Sequence, residues 1–183
     1  MKYDKDWMKE KYSNDGGVEY LFFWGHQPRK DGQIGMSCLS QWYEREFEYD
    51  GIKYLTAEHW MMAEKAKLFR DKTILEKILN CNSPKEAKSL GRKVKNFEGK
   101  NWIENRERIV KNGNYLKFKQ NKELWKYLDG TGDKVLVEAS PYDKIWGIGM
   151  KNGDKGIENP INWRGLNLLG YALMEVRDKL RNE

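Results

Sequence analysis

The sequence is poor in cysteine, histidine and proline, and it has no long apolar run. Its two cysteines, Cys38 and Cys81, lie far apart with no CxxC spacing, so no disulfide framework is written into the chain. A structural zinc site takes four Cys or His ligands. Only His26 and His59 accompany the cysteines, and they form no cluster with them, so no metal is expected. Four prolines and the lack of a Ser/Gly tract leave no visible linker. The longest apolar runs are a few residues, such as Leu21 to Trp24, against about 20 for a membrane-spanning helix. The opening MKYDKDWMKEKY is charged throughout and lacks the apolar centre of a signal peptide. The expectation is a cytoplasmic protein with reduced, buried thiols and no membrane partner. No Ser/His/Asp order, Cys/His pair, Walker motif or GxGxxG is present.

What the chain does have is aromatic residues and charge. Its 183 residues suit one domain. Eight Trp, ten Tyr and six Phe supply a core that disordered chains lack. The 34 Lys and Arg exceed the 28 Asp and Glu by six. That balance favours anionic ligands such as phosphates, and it falls short of the basic stripe of a dedicated nucleic-acid binder.

Residues 1–17 read as a charged N-terminal extension, a lead-in or frayed helix ending in the turn signal Asp15-Gly16-Gly17. Val18 to Gly25 reads as a buried strand. Phe47, Tyr49, Ile52 and Tyr54 flank Asp50-Gly51, a short hairpin signal. From Thr56 the period becomes helical, with Thr56 as the cap and Glu58 in the first turn. Residues 73–80 are amphipathic. Ser83-Pro84-Lys85-Glu86 starts another helix as a capping box, and Gly91 ends it. A helix around Trp102 to Val110 is expected to break near Gly113. Leu116 to Leu128 is expected to be helical again, closed by Gly130. Val135 to Ala139 is the clearest strand, and Leu168 to Leu180 forms a final amphipathic helix. Trp60, Trp125 and Leu173 are expected in the core. The order of elements predicts an α+β fold, predominantly helical, with a few short strands.

Three places carry candidate chemistry. Glu58 and Lys65 are seven residues apart, close to two helical turns, so both leave one face with Cα atoms roughly 10 Å apart along the axis. The plain alternative is a carboxylate complementing the helix dipole and a solvated lysine. His59, on another face, reads as a packing residue. The segment Glu138 to Gly149 runs from a strand into a loop with Asp143, Trp146, Gly147 and Gly149, where sites are often held. The plain alternative is an ordinary turn with a core tryptophan. Third, Trp102 can stack on a heterocycle and Arg92 can fork onto a phosphate.

At these residues the chain resembles a known family. Phe22-Phe23-Trp24, Leu39-Ser40-Gln41-Trp42-Tyr43, Tyr54-Leu55-Thr56-Ala57-Glu58-His59 with Ala63 and Lys65, Leu90-Gly91-Arg92, and Asn101-Trp102 come in order. Lys117-Phe118 with Asn121 and Leu124, Leu136-Val137-Glu138, Asp143 with Trp146-Gly147, and Asn167-Leu168-Leu169-Gly170 follow. Together they resemble the NADAR (NAD- and ADP-ribose-associated) superfamily, in particular its YbiA-like N-glycosidases, over about residues 20 to 178. Two positions depart from that pattern. Gln41 stands where many relatives carry Asn, and Ile148 where some carry Asp, both near the expected pocket.

The resemblance implies a single YbiA-like domain over residues 18–183. It implies hydrolysis of the C1′–N bond of a phosphorylated ribosylaminopyrimidine, an intermediate of riboflavin biosynthesis, to ribose phosphate and free base. It implies Glu58, Lys65 and Asp143 as catalytic residues. Glu58 would face the sugar, with Asp143 as the alternative or as the group orienting water. Trp102, Trp146, Arg92, Trp24, Gly147 and Asn167 would bind substrate, and no cofactor is needed. Two other activities stay open: removal of ADP-ribose from modified guanine in nucleic acid, and nucleotide binding without turnover.

Overall fold

The computed structural model describes residues 2–15 and 17–183. In chain order these form α1 (Lys5–Asn14), β1 (Tyr20–Phe23), β2 (Phe47–Tyr49), β3 (Ile52–Tyr54), α2 (Ala57–Leu68), α3 (Lys72–Asn80), α4 (Pro84–Gly91), α5 (Gly99–Gln120), α6 (Lys122–Asp129), β4 (Val135–Glu138) and α7 (Leu168–Arg181). The fold is α+β and mostly helical. None of these helices is long and apolar enough to cross a membrane. The chain divides into two compact units, Gln41–Lys122 and the remainder.

In the unit Gln41–Lys122, β2 and β3 pair antiparallel, Phe47 opposite Tyr54 and Tyr49 opposite Ile52. Asp50 and Gly51 both take positive φ, the geometry of a tight hairpin turn. The Thr56 hydroxyl caps α2 by accepting from the His59 N–H. Helix α2 is buried over most of its length because α3, α4 and α5 all pack on it. Trp60 sits against Phe47, Tyr49 and Tyr54, and its indole N–H donates to the Ile109 carbonyl of α5 at 2.8 Å.

Helix α5 corrects two expectations. It runs through Gly113 without a break. A Cβ at Gly113 would strike the Trp60 ring, so the glycine is there for close helix packing. The break falls instead at Asn121, whose side-chain amide donates to the carbonyls of Lys117 and Glu46. The segment Leu116 to Leu128 is therefore divided between α5 and α6.

In the other unit, β1 and β4 form a parallel pair with Phe23 opposite Glu138. Strand β1 is half-buried except at Phe23, and less enclosed than its aromatic content predicts. Helix α7 packs on β4. Asn167, just before α7, is fully buried with φ +55. Its amide donates to the Leu136 carbonyl and accepts from the Glu138 N–H, both at 3.0 Å. The N-terminal stretch is a capped helix, not a frayed one. Asp4 caps α1, Met8 is fully buried, Trp7 meets Tyr171 edge-on, and Lys5 donates to the Trp163 carbonyl. Gly16 of the expected turn lies outside the described residues. Leu173 and Trp60 are core residues as expected, whereas Trp125 is only half-buried, because α6 turns Leu124 and Leu128 inward instead.

Candidate functional site

The unit Gln41–Lys122 holds Glu58, Lys65, Arg92 and Trp102. Glu58 is the second residue of α2, where the unpaired N–H groups of a helix favour negative charge. Glu58 is 2% exposed and sits where the plain alternative has it, complementing the helix dipole, whereas Lys65 is half-buried and not the solvated lysine of that alternative. Its backbone N–H donates to the Gln41 carbonyl at 3.0 Å, which ties the carboxylate-bearing turn to the preceding loop. Two turns on, Lys65 donates to the Gly91 carbonyl at 2.8 Å. Its ammonium lies 4.3 Å from the Phe97 ring centre and 5.5 Å from that of Trp102. Burial lowers the Lys65 pKa below the ordinary lysine value. Arg92 follows Gly91 directly and is exposed. Trp102 is half-buried.

His59 serves the structure. Its Nε2–H donates to the Cys81 carbonyl at 3.2 Å, so Nδ1 accepts from the Thr56 hydroxyl at 2.8 Å. Burial lowers its pKa and keeps the ring neutral, in agreement with that tautomer.

The other unit holds Trp24, Asp143, Trp146, Gly147 and Asn167. Strands β1 and β4 are parallel and end side by side, so the residues just past them share one end of the pair. Trp24 follows β1. The loop Ala139–Gly149 follows β4. Asp143 Oδ1 accepts from the backbone N–H of Ile145 and of Trp146, each at 2.8 Å, and so shapes this loop. The segment Arg164–Leu169 holds the loop through backbone bonds to Lys144, Ile145, Trp146, Gly147 and Ile148. A Cβ at Gly147 would lie 2.8 Å from the Glu138 carbonyl oxygen, so this glycine lets the loop fold onto the strand end. Both polar atoms of the Asn167 amide are spent on β4, which makes it a residue that positions the strand end. Ile148 is fully buried, so this departure from the family pattern is a packing position. Gln41, the other departure, is 6% exposed and joined to Glu58.

Three further residues stand beside these and are not singled out by sequence reasoning. Phe97 flanks Lys65 and is 48% exposed. Asn114, fully buried on α5, donates to the Gln41 side chain at 2.8 Å. Tyr142, 86% exposed, lies 6.1 Å from Trp24 between ring centres. An aromatic in the polar stretch Lys95–Lys100 was a faint signal for Phe97. A pairing 73 residues apart left none for Asn114. A cavity of about 600 Å³ between Leu21, Ile34, Tyr127, Thr131 and Lys134 contains none of the expected site residues. Its size does not make it the site, because no carboxylate–lysine–tryptophan grouping lines it.

Comparison with known proteins extends these observations. The NADAR domain model matches residues 22–181. The chain is 43% identical over 167 residues to "N-glycosidase R617" of Acanthamoeba polyphaga mimivirus, covering 88% of this chain and 96% of that protein. It is 34% identical over 134 residues to "N-glycosidase YbiA" of Escherichia coli strain K12, covering 73% and 75%. The NMR structure of E. coli YbiA superposes with a TM-score of 0.69 at 28% identity, over 91% of this chain and 88% of that one. A match of this extent makes the chain a member of the NADAR domain family.

Proposed function

We propose that this protein is an N-glycosidase that hydrolyses the C1′–N bond of a phosphorylated ribosylaminopyrimidine. The observation that carries the reading is Glu58, a buried carboxylate at a helix N-terminus, two turns from a lysine set between aromatic rings. Relatives named N-glycosidases support the reaction class.

When the C1′–N bond breaks, its electron pair leaves with the nitrogen and positive charge develops on the ribose ring. Glu58 stabilises that charge across a low-dielectric surrounding. Water adds to C1′ and loses a proton to a carboxylate, while the departing nitrogen gains one. Lys65, with its lowered pKa, holds the phosphate or donates that proton. Trp102 stacks on the base, and Arg92 supplies a fork for phosphate.

A ribosylaminopyrimidine 5′-phosphate is the test substrate, with free ribose 5-phosphate as the readout. Glu58→Gln keeps the shape and removes the charge, and its rate is expected to fall roughly 10²–10³-fold. Equal release by wild type and Glu58→Gln would remove the assignment.

One observation favours a second reading. The exposed Trp24–Tyr142 pair beside the Asp143 loop offers more stacking surface than one pyrimidine uses. That surface suits ADP-ribosylated guanine in nucleic acid. Cleavage of such an oligonucleotide, with none of the small pyrimidine, would select this reading.

A further inference from the structure

Gln41 and Asn114 form a buried amide pair whose hydrogen bonding is incomplete. An amide nitrogen carries two hydrogens. Asn114 Nδ2 spends one on Gln41 Oε1 at 2.8 Å and one on the Val110 carbonyl at 2.9 Å. These bonds fix both orientations. Turning the Asn114 amide would set its oxygen against the Val110 oxygen. Turning the Gln41 amide alone would set two NH₂ groups together. Gln41 Nε2, a donor, and Asn114 Oδ1, an acceptor, are then left over, and both are buried without a partner. Buried polar groups are nearly always paired, and an unpaired one costs stability. Two of them on neighbouring amides amount to a donor and an acceptor held ready for one ligand group.

The location narrows that group. The Gln41 carbonyl accepts the Glu58 N–H, so the amide pair and the carboxylate are tied to one point of the backbone. A hydroxyl both accepts and donates, and a single hydroxyl satisfies both leftover atoms. A carbonyl oxygen would satisfy only Gln41, and an ammonium only Asn114. With Glu58 at the anomeric carbon, the hydroxyl nearest that carbon is on C2′. Hydrogen bonds to that hydroxyl strengthen as the ring gains positive charge.

We infer that Gln41 and Asn114 read the ribose 2′-hydroxyl and make the protein select ribosides over 2′-deoxyribosides. The inference rests on the N-glycosidase reading for the place of the sugar, and it is independent of the base. A site built around a hydroxyl rejects the analogue that lacks it, because its own buried groups then stay unpaired.

The test uses the full chain, labelled with ¹⁵N and titrated with ribose 5-phosphate or 2-deoxyribose 5-phosphate. The side-chain amide signals are assigned by their disappearance in Gln41→Met and Asn114→Leu. Ribose 5-phosphate is expected to move both signals and to bind roughly 10–100-fold more tightly than the deoxy sugar. Gln41→Met is expected to erase that preference and to melt somewhat lower, since it removes the orphaned Nε2 but also the acceptor of one buried Asn114 amide hydrogen. Affinities within twofold, still amide signals, no binding of either sugar, or a preference surviving in Gln41→Met would each overturn the inference and leave the pair holding only an ordered water. If Gln41→Met does not fold, the wild-type titration decides alone. Neither sugar carries a base, so failure to cleave the pyrimidine substrate with ribose preference intact would count against the proposed substrate and not against this inference.

Discussion

At the residue scale, Lys65 shows how placement changes chemistry. The same ammonium on a solvated helix face would keep the ordinary lysine pKa. Here the Phe97 and Trp102 rings and the packing around α2 strip water from it, and desolvation favours the neutral amine. The charged form is the one that holds a phosphate or donates a proton, and it persists only below the folded-state pKa. Because that pKa is lowered, the loss of activity on the alkaline side is expected at a lower pH than free lysine would give. Lys65→Arg stays protonated throughout and is expected to move that limb upward, whatever it does to the maximal rate. A kcat/KM profile from pH 7 to 11 checks this, and identical alkaline limbs in the two proteins would take Lys65 out of the reaction.

At the element scale, α5 sets helix propensity against packing. Replacing a mid-helix glycine with alanine ordinarily stabilises a helix by about 1 kcal/mol. At position 113 the added methyl meets the Trp60 ring, which its own bond to the Ile109 carbonyl holds in place. Overpacking of this kind costs roughly 1–3 kcal/mol, so it wins. Gly113→Ala is expected to lower the melting temperature, and a rise would show that the ring yields. The same helix marks how far local reading reaches. The hairpin at Asp50-Gly51, the Thr56 and Ser83 caps and the final amphipathic helix are legible because their signals lie within a few residues. Gly113 carries the signature of a break, and only the approach of Trp60, 53 positions earlier, explains why it is none. The candidate site divides in the same way. Glu58 and Lys65 share one helix and are visible from spacing. Phe97 beside Lys65, Asn114 on Gln41 and Tyr142 beside Trp24 depend on tertiary placement, and residue order does not disclose it.

At the scale of the whole molecule, α1 is part of the unit it packs on. Met8 is fully enclosed, Tyr3 reaches Asp178 at 2.6 Å, and Lys5 is fixed to the Trp163 carbonyl. Loss of a buried methionine side chain alone costs about 2–5 kcal/mol. Removal of residues 1–17 is therefore expected to lower the melting temperature by roughly 5–15 °C. A truncated chain melting like the intact one would show the segment to be an appendage. Asn167 has a consequence on the same scale. A strand at the border of a sheet offers bare N–H and C=O groups that another chain can recruit. On the side of β4 turned away from β1, the Asn167 amide occupies the Leu136 oxygen and the Glu138 nitrogen, and the Ile148 N–H occupies the Glu138 oxygen. One side chain thus imitates the peptide unit of a missing third strand, and it seals that border of a two-stranded sheet against intermolecular pairing and aggregation.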